Sequence, residues 1–283
     1  MLKNIMWTVG VVAASSVISA FFLGSFKERR NAQKLETKLL QNRKSSSVYK
    51  VDFAAFAQLP EPVARYFRYA LKDGQPIINL MRMQQIGLLR TNTITEKWVT
   101  FTASQLVVPS APGFIWNAKM ATPFRTHVRV LDSYIAGVGS GRVNFLSAIV
   151  IAADAGAQEL NSGALLRYLA EAVWYPTALL PESGVNWTPI NENAALATLV
   201  DWKRSVSLEF HFNSIGEVTS IFCQDRFRKL NGKYLKTPWE GRFKNYTIES
   251  GVKVPSYGEV GWYELGILQL VWKGDISEIQ FEL

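Results

Sequence analysis

Arg167, Glu171 and Trp174 follow one another at spacings of four and three, so on a helix they share one face. On a solvent face this is an ion pair worth a few tenths of a kcal/mol (order of magnitude) beside a tryptophan. On a face turned into the concave side of a sheet, the same pair is buried and can orient a polar group of a ligand. The structural ion pair is the first reading and the ligand site the second. Asp132 is the next candidate. It follows Val128 and Val130 on one face of an alternating stretch. A buried carboxylate needs a cation or donors, or its pKa rises. Arg167 is a conceivable partner. Asp132 and Glu171 together are also the pair a hydrolase would use as acid and base.

Aromatic residues form a third group: Phe114, Trp116, Trp174, Trp187, Trp202, Trp239 and Trp262. Many must be core, but so many tryptophans on a curved sheet also suit the wall of an apolar ligand cavity. Other chemistries find less support. His127 and His211 lie on polar strand faces without a metal-ligand spacing, and solvated side chains are expected. Cys223 is the single cysteine, in a strand-like stretch, and reads as a packed thiol. Nothing matches a Gly-x-Ser-x-Gly nucleophile turn. The glycines of Asp132-Ser-Tyr-Ile-Ala-Gly-Val-Gly-Ser-Gly141 lack a strand-to-helix setting and read as a turn between strands. No cofactor and no metal are implied.

These residues must be positioned by strands and two helices. Leu59 to Leu71 carries an amphipathic helix: Pro60 and Pro62 suit a first turn, Val63, Phe67, Ala70 and Leu71 make one stripe, and Asp73-Gly74 ends it. From about Ile77 the period is two, as in 126–134, 205–212 and 267–272, which marks half-buried antiparallel strands. Turns are expected at Asn213–Gly216, Asn231-Gly232, Glu249–Gly251 and Lys273–Asp275. A second helix, capped by Asn161 or Ser162, runs through Leu165–Trp174 until Pro176 ends or kinks it. The fold class is α+β, mainly antiparallel β: a curved half-barrel sheet packed on two helices, preceded by one N-terminal transmembrane helix.

That last helix comes from the run Ile5–Phe26, which holds no charge and is followed by Lys27, Arg29 and Arg30. About 22 residues suffice to cross a ~30 Å hydrocarbon core. A retained anchor is favoured over a cleaved signal, because the apolar core is longer than signals usually have. Residues 27–40 can continue the helix into water, and Asn42–Ser47 reads as a linker. The chain therefore divides into 1–45, anchor and basic juxtamembrane segment, and 46–283, one half-barrel-like domain. The formal charge is +8, with much of the excess between Lys27 and Lys44, which suits anionic lipid headgroups. No nucleic-acid motif is present, and nucleic acid is set aside as a partner. Positive charge after the span favours a cytoplasmic body. The short tail with Lys3 favours a signal anchor that exports it. The extracytoplasmic side is the working expectation and the cytoplasmic side stays open.

Five motifs together resemble a bacterial family catalogued as a domain of unknown function, whose members often carry an N-terminal membrane segment. They are Leu59-Pro-Glu-Pro-Val-Ala-Arg-Tyr-Phe67, Pro112-Gly-Phe-Ile-Trp-Asn-Ala118, Asp132-Ser-Tyr-Ile-Ala-Gly-Val-Gly139, Leu165-Leu-Arg-Tyr-Leu-Ala-Glu-Ala-Val-Trp-Tyr-Pro176 and Pro238-Trp-Glu-Gly241. The resemblance covers residues 50 to 283. It implies a shape similar to the lipoprotein-carrier (LolA-like) half-barrels, which act on acyl chains in the bacterial envelope, and it carries over no catalytic residue. The function expected first is a membrane-anchored envelope protein holding a lipid or other apolar ligand. Trp116, Trp174 and Trp239 would line the cavity, with Asp132, Arg167 and Glu171 as its polar groups. A scaffolding module with an unidentified protein partner, and a hydrolase using Asp132 and Glu171, are the alternatives.

Overall fold

The computed structural model describes residues 2–44, 49–90, 93–94 and 96–283, with helical side chains described from Phe22 onward. Helix α1 (Leu2–Gln41) leads the chain, and helix α2 (Glu61–Ala70) follows a short 3-10 turn. A first meander then runs through β1 (Leu80–Leu89), β2 (Val99–Val108), β3 (Gly113–Thr122), β4 (Thr126–Ile135), β5 (Val138–Phe145) and β6 (Ile149–Ala155). Helix α3 (Gln158–Glu171) and a series of 3-10 turns ending at Ser183 connect it to the second. That comprises β7 (Val185–Asn191), β8 (Ala194–Asp201), β9 (Arg204–Phe212), β10 (Val218–Leu230), β11 (Lys233–Glu249), β12 (Val252–Glu264) and β13 (Ile267–Glu282).

Strand β1 pairs with β13, so the two meanders fuse into one antiparallel sheet of 13 strands with β6 and β7 at its edges. The sheet curls without closing. Helix α3 packs on β4 and β5 from one side and on β9 and β10 from the other, and so fills the gap between the edges. The expected mainly antiparallel curved sheet is present.

Alternation along the strands decides what faces in. Met81 and Met83 of β1, Phe101 and Ala103 of β2, and Trp116 and Ala118 of β3 all turn to the concave side and join the main core. Helix α2 enters that core with Val63, Phe67 and Ala70, as its stripe requires; Phe67 meets Trp187 edge-on at 6.4 Å. Asn231 and Gly232 both take left-handed backbone (φ 50° and 79°), the conformation a two-residue hairpin demands.

Lys273–Asp275 is not a turn. It lies within β13, where Gly274 stands opposite Gly87 on one side and Gly258 on the other. A Cβ on Gly87 would lie 2.0 Å from the Lys273 carbonyl oxygen, and one on Gly274 2.5 Å from the Trp272 ring. Gly87 is thus pressed by the backbone of β13, and Gly274 is covered by the Trp272 ring, so neither position has room for a side chain.

The segment after Phe26 does not extend into water. Ala32, Leu35 and Leu39 recur at helical spacing and lie on the outer face of the sheet, against Leu106, Ile115 and Leu131. Glu28 accepts both Nε and Nη2 of Arg142 at 2.8 Å and Nδ2 of Asn144 at 3.0 Å. Helix α3 also differs at its start. It begins at Gln158, and Asn161 does not cap it: Oδ1 accepts the Gly139 amide at 2.7 Å and Nδ2 donates to the Gly156 carbonyl at 3.1 Å.

Residues 5–21, most of the run read as an anchor, lie outside the described side chains, and Ser45–Ser47 of the linker lie outside the described residues. Among the described residues no helix is long and apolar enough to cross a membrane.

Candidate functional site

Helix α3 carries Arg167 and Glu171 one turn apart into the concave side, and β4 brings Asp132 to meet them. Arg167 Nε donates to Glu171 Oε1 at 2.7 Å, and Nη1 donates to Asp132 Oδ2 at 3.1 Å. The guanidinium also lies 5.1 Å from the Phe114 ring centre and 4.9 Å from that of Trp116. The cation thus meets two carboxylates through separate nitrogens and two aromatic rings at cation–π distance.

The cluster continues through two buried glutamines. Gln105 Nε2 donates to Glu171 Oε2 at 2.6 Å, Gln85 Nε2 to Gln105 Oε1 at 3.4 Å, and Trp116 Nε1 to Gln85 Oε1 at 2.7 Å. Their signal was available: both fall on the inward phase of β1 and β2, where an amide needs a partner.

Burial opposes the charge on Arg167, but Glu171 and then Asp132 outweigh it and hold its pKa above the ordinary value. For Asp132 the balance goes the other way. Burial raises its pKa, and the Arg167 charge only partly offsets this. Such a carboxyl adds stability below its ordinary range and loses it as pH rises through the folded pKa. Asp132→Asn is therefore expected not to lower the unfolding temperature at neutral pH. It should also remove one increment of stabilisation on mild acidification. Thermal unfolding at neutral and mildly acid pH checks both.

Beside this cluster lies a cavity of about 290 Å³. Trp116, Asp132, Arg167, Glu171, Trp174 and Trp239, the six candidates from the sequence, all line it. Trp262, Trp272, Phe243 and Ile221 are among the residues that extend its apolar wall. Trp174, in the 3-10 turn after α3, donates from Nε1 to the Pro255 carbonyl at 2.9 Å and meets Phe243 edge-on at 5.6 Å. The other aromatics lie elsewhere: Trp187 packs under α2, and Trp202 is exposed at the β8–β9 turn. A second lobe of about 410 Å³ shares Asp132, Arg167, Arg226 and Trp262 with the first and extends between α3 and the β10–β11 hairpin. There Asp154 of β6 receives Lys229 and Tyr234, a polar bridge across the open side of the sheet.

Arg226 was not legible. Ile221 and Cys223 face inward, so simple alternation would turn Asp225 in next. A β-bulge between Cys223 and Arg226 inserts one residue and turns Arg226 to the cavity instead. Its guanidinium stacks 4.1 Å from the Trp239 ring centre and 5.6 Å from that of Trp262. Burial, and next the Arg167 charge, lower its pKa to about 10. His127 bonds Ser147 Oγ at 2.8 Å, His211 stands 3.6 Å from Glu209, and among the described residues no group of side chains could hold a metal ion.

Residues 57–281 match the profile of a family of unknown function, DUF6920. All five motifs read from the sequence lie within that span. No curated protein matches the sequence. Among solved structures, the chain is similar to a LolA superfamily protein from Nitrosomonas europaea (TM-score 0.40, 10% identity, covering 82% of this chain and 94% of that one). It is also similar to a DUF1329 family protein from Desulfovibrio piger (TM-score 0.35, 7% identity, covering 82% and 95%).

Proposed function

We propose, for a chain that belongs to the DUF6920 family, that the concave cavity holds a lipid or another apolar molecule close to a membrane surface. The observation that carries this reading is the cavity itself: about 290 Å³ walled by tryptophan and aliphatic side chains, with Asp132, Arg167, Glu171 and Arg226 as the charged groups of its lining. Its volume sits at the small end of the ~300–1,000 Å³ usual for ligand pockets, enough for one short chain or ring system. The uncharged run 5–26 and the cations that follow support an N-terminal anchor. Helix α1 continues from that run onto the outer face of the sheet, so an anchor there would hold the half-barrel beside the bilayer. The shared guanidinium supports an orienting role for Asp132 and Glu171 over acid–base chemistry, since Arg167 occupies both carboxylates.

The test is native mass spectrometry of the full chain, purified from its host into a lipid-free polymer, followed by solvent extraction. Cutting before Ser46 would strip Glu28 and Leu39 from the sheet. A stoichiometric acyl-chain molecule is expected. A clean apo mass, with no saturable uptake of added dodecanoate or dodecanol, would overturn the reading.

A further inference from the structure

Four cations surround the two lobes of the cavity, and three of them are committed. Arg167 holds Glu171 and Asp132. Arg228 donates to Glu264 Oε1 at 2.7 Å and to Thr93 Oγ1 at 3.0 Å. Lys229 holds Asp154. Arg226 is the exception: among the described residues no carboxylate lies within ion-pair distance of it, and no acceptor takes its N–H groups. It sits where the apolar lobe meets the polar one and lines both.

A partly desolvated cation with no ion-pair partner, and only the more distant charge of Glu171 in its favour, costs stability, and its two tryptophans only partly offset that. The two rings offer the guanidinium no oxygen or nitrogen acceptor, so contact with them leaves its N–H groups unused. Those donors form the planar fork that receives a carboxylate or phosphate through two parallel bonds. The bulge that turns Arg226 inward is a local departure from strand pairing of the kind found where a side chain is re-aimed. An anion beside Arg226 would also relieve its repulsion by Arg167.

We infer that the ligand is an anionic amphiphile: its apolar part lies against the tryptophan wall, and its carboxylate or phosphate pairs with Arg226 at the junction of the two lobes. This rests on the proposal that the cavity takes an apolar molecule.

The test uses the full chain in a lipid-free polymer and three probes: ω-bromododecanoate, ω-bromododecyl phosphate and ω-bromododecanol. Bromine quenches the fluorescence of the tryptophans that line the cavity. The native protein is expected to bind at least one anion about tenfold more tightly than the alcohol, the weight of one charge-assisted hydrogen bond. The tighter anion tells a fatty-acid ligand from a phosphate-headed one. Arg226→Gln should abolish the preference by bringing the affinity of the anions down to that of the alcohol measured on the same variant. Arg226→Lys should retain part of it. Because the native cation is unpaired, the unfolding temperature of Arg226→Gln should not fall, which separates this role from a structural one. If the alcohol binds the native protein as tightly as both anions, or if Arg226→Gln keeps the preference, the anionic ligand is overturned while the apolar cavity stands. If none of the three quenches saturably, both fall.

Discussion

Arg167→Met should lower the unfolding free energy by about 3 kcal/mol, the low end of the loss typical when one partner of a buried ion pair is removed, because this cluster is half-buried. Methionine keeps most of the length and the contacts with Phe114 and Trp116, so the change isolates the charge. It leaves Asp132 and Glu171 facing each other across the concave wall without a cation, and Gln105 alone on Glu171. The three side chains keep 22%, 32% and 15% of their surface exposed for Arg167, Asp132 and Glu171, too little for water to replace the guanidinium. The pH dependence gives the second signature. Without Arg167 the folded pKa of Asp132, already raised by burial, loses the charge that partly offsets that burial and rises further. The variant's deficit should then be largest at neutral pH and shrink as pH falls through the raised value. Denaturant unfolding of both proteins across that range measures it. A loss below about 1 kcal/mol would mean the cluster behaves as a solvated surface pair.

Trp174→Ala should cost a similar ~3–5 kcal/mol, the usual range for deleting a buried aromatic side chain. Trp174 is 3% exposed and is held on three sides. Nε1 bonds the Pro255 carbonyl, the Phe243 ring stands perpendicular to it, and Gly258 comes so close that a Cβ there would lie 3.1 Å from the ring. The change removes a large apolar volume from the wall of the cavity and leaves the Pro255 carbonyl without that donor. Trp174→Phe keeps much of the volume and loses the hydrogen bond, so about 1–3 kcal/mol of the loss should remain. Thermal or denaturant unfolding checks both. If alanine costs no more than phenylalanine, the surrounding sheet collapses into the space, and Trp174 is a filler and not a support of the cavity.

Much of the site was legible because it obeys two periods. The helical spacing of Arg167 and Glu171 and the strand spacing of Val128, Val130 and Asp132 each place side chains on a face. A curved sheet over a helix leaves those faces little to meet except each other. The same reasoning reached the α2 stripe and the Asn231-Gly232 hairpin. It failed where the partner strand decides. Lys273–Asp275 looks like a turn because glycine beside charge is common in turns. In β13 that glycine lies instead between Gly87 and Gly258, and nothing local shows that two other strands press on it.

The sequence by itself determined the period of each element, the inward phase of each uninterrupted strand, and therefore most of the cavity wall. Tertiary structure alone decided the fusion of the two meanders through β1 and β13, the seating of α1 on the outer face, and the inward turn of Arg226. The physical reason is the range of the forces involved. Helical and strand periods come from the backbone's own geometry and can be read residue by residue. A bulge, a glycine crossing or a docked helix balances contacts between segments far apart in the chain, and one inserted residue reverses every side chain beyond it.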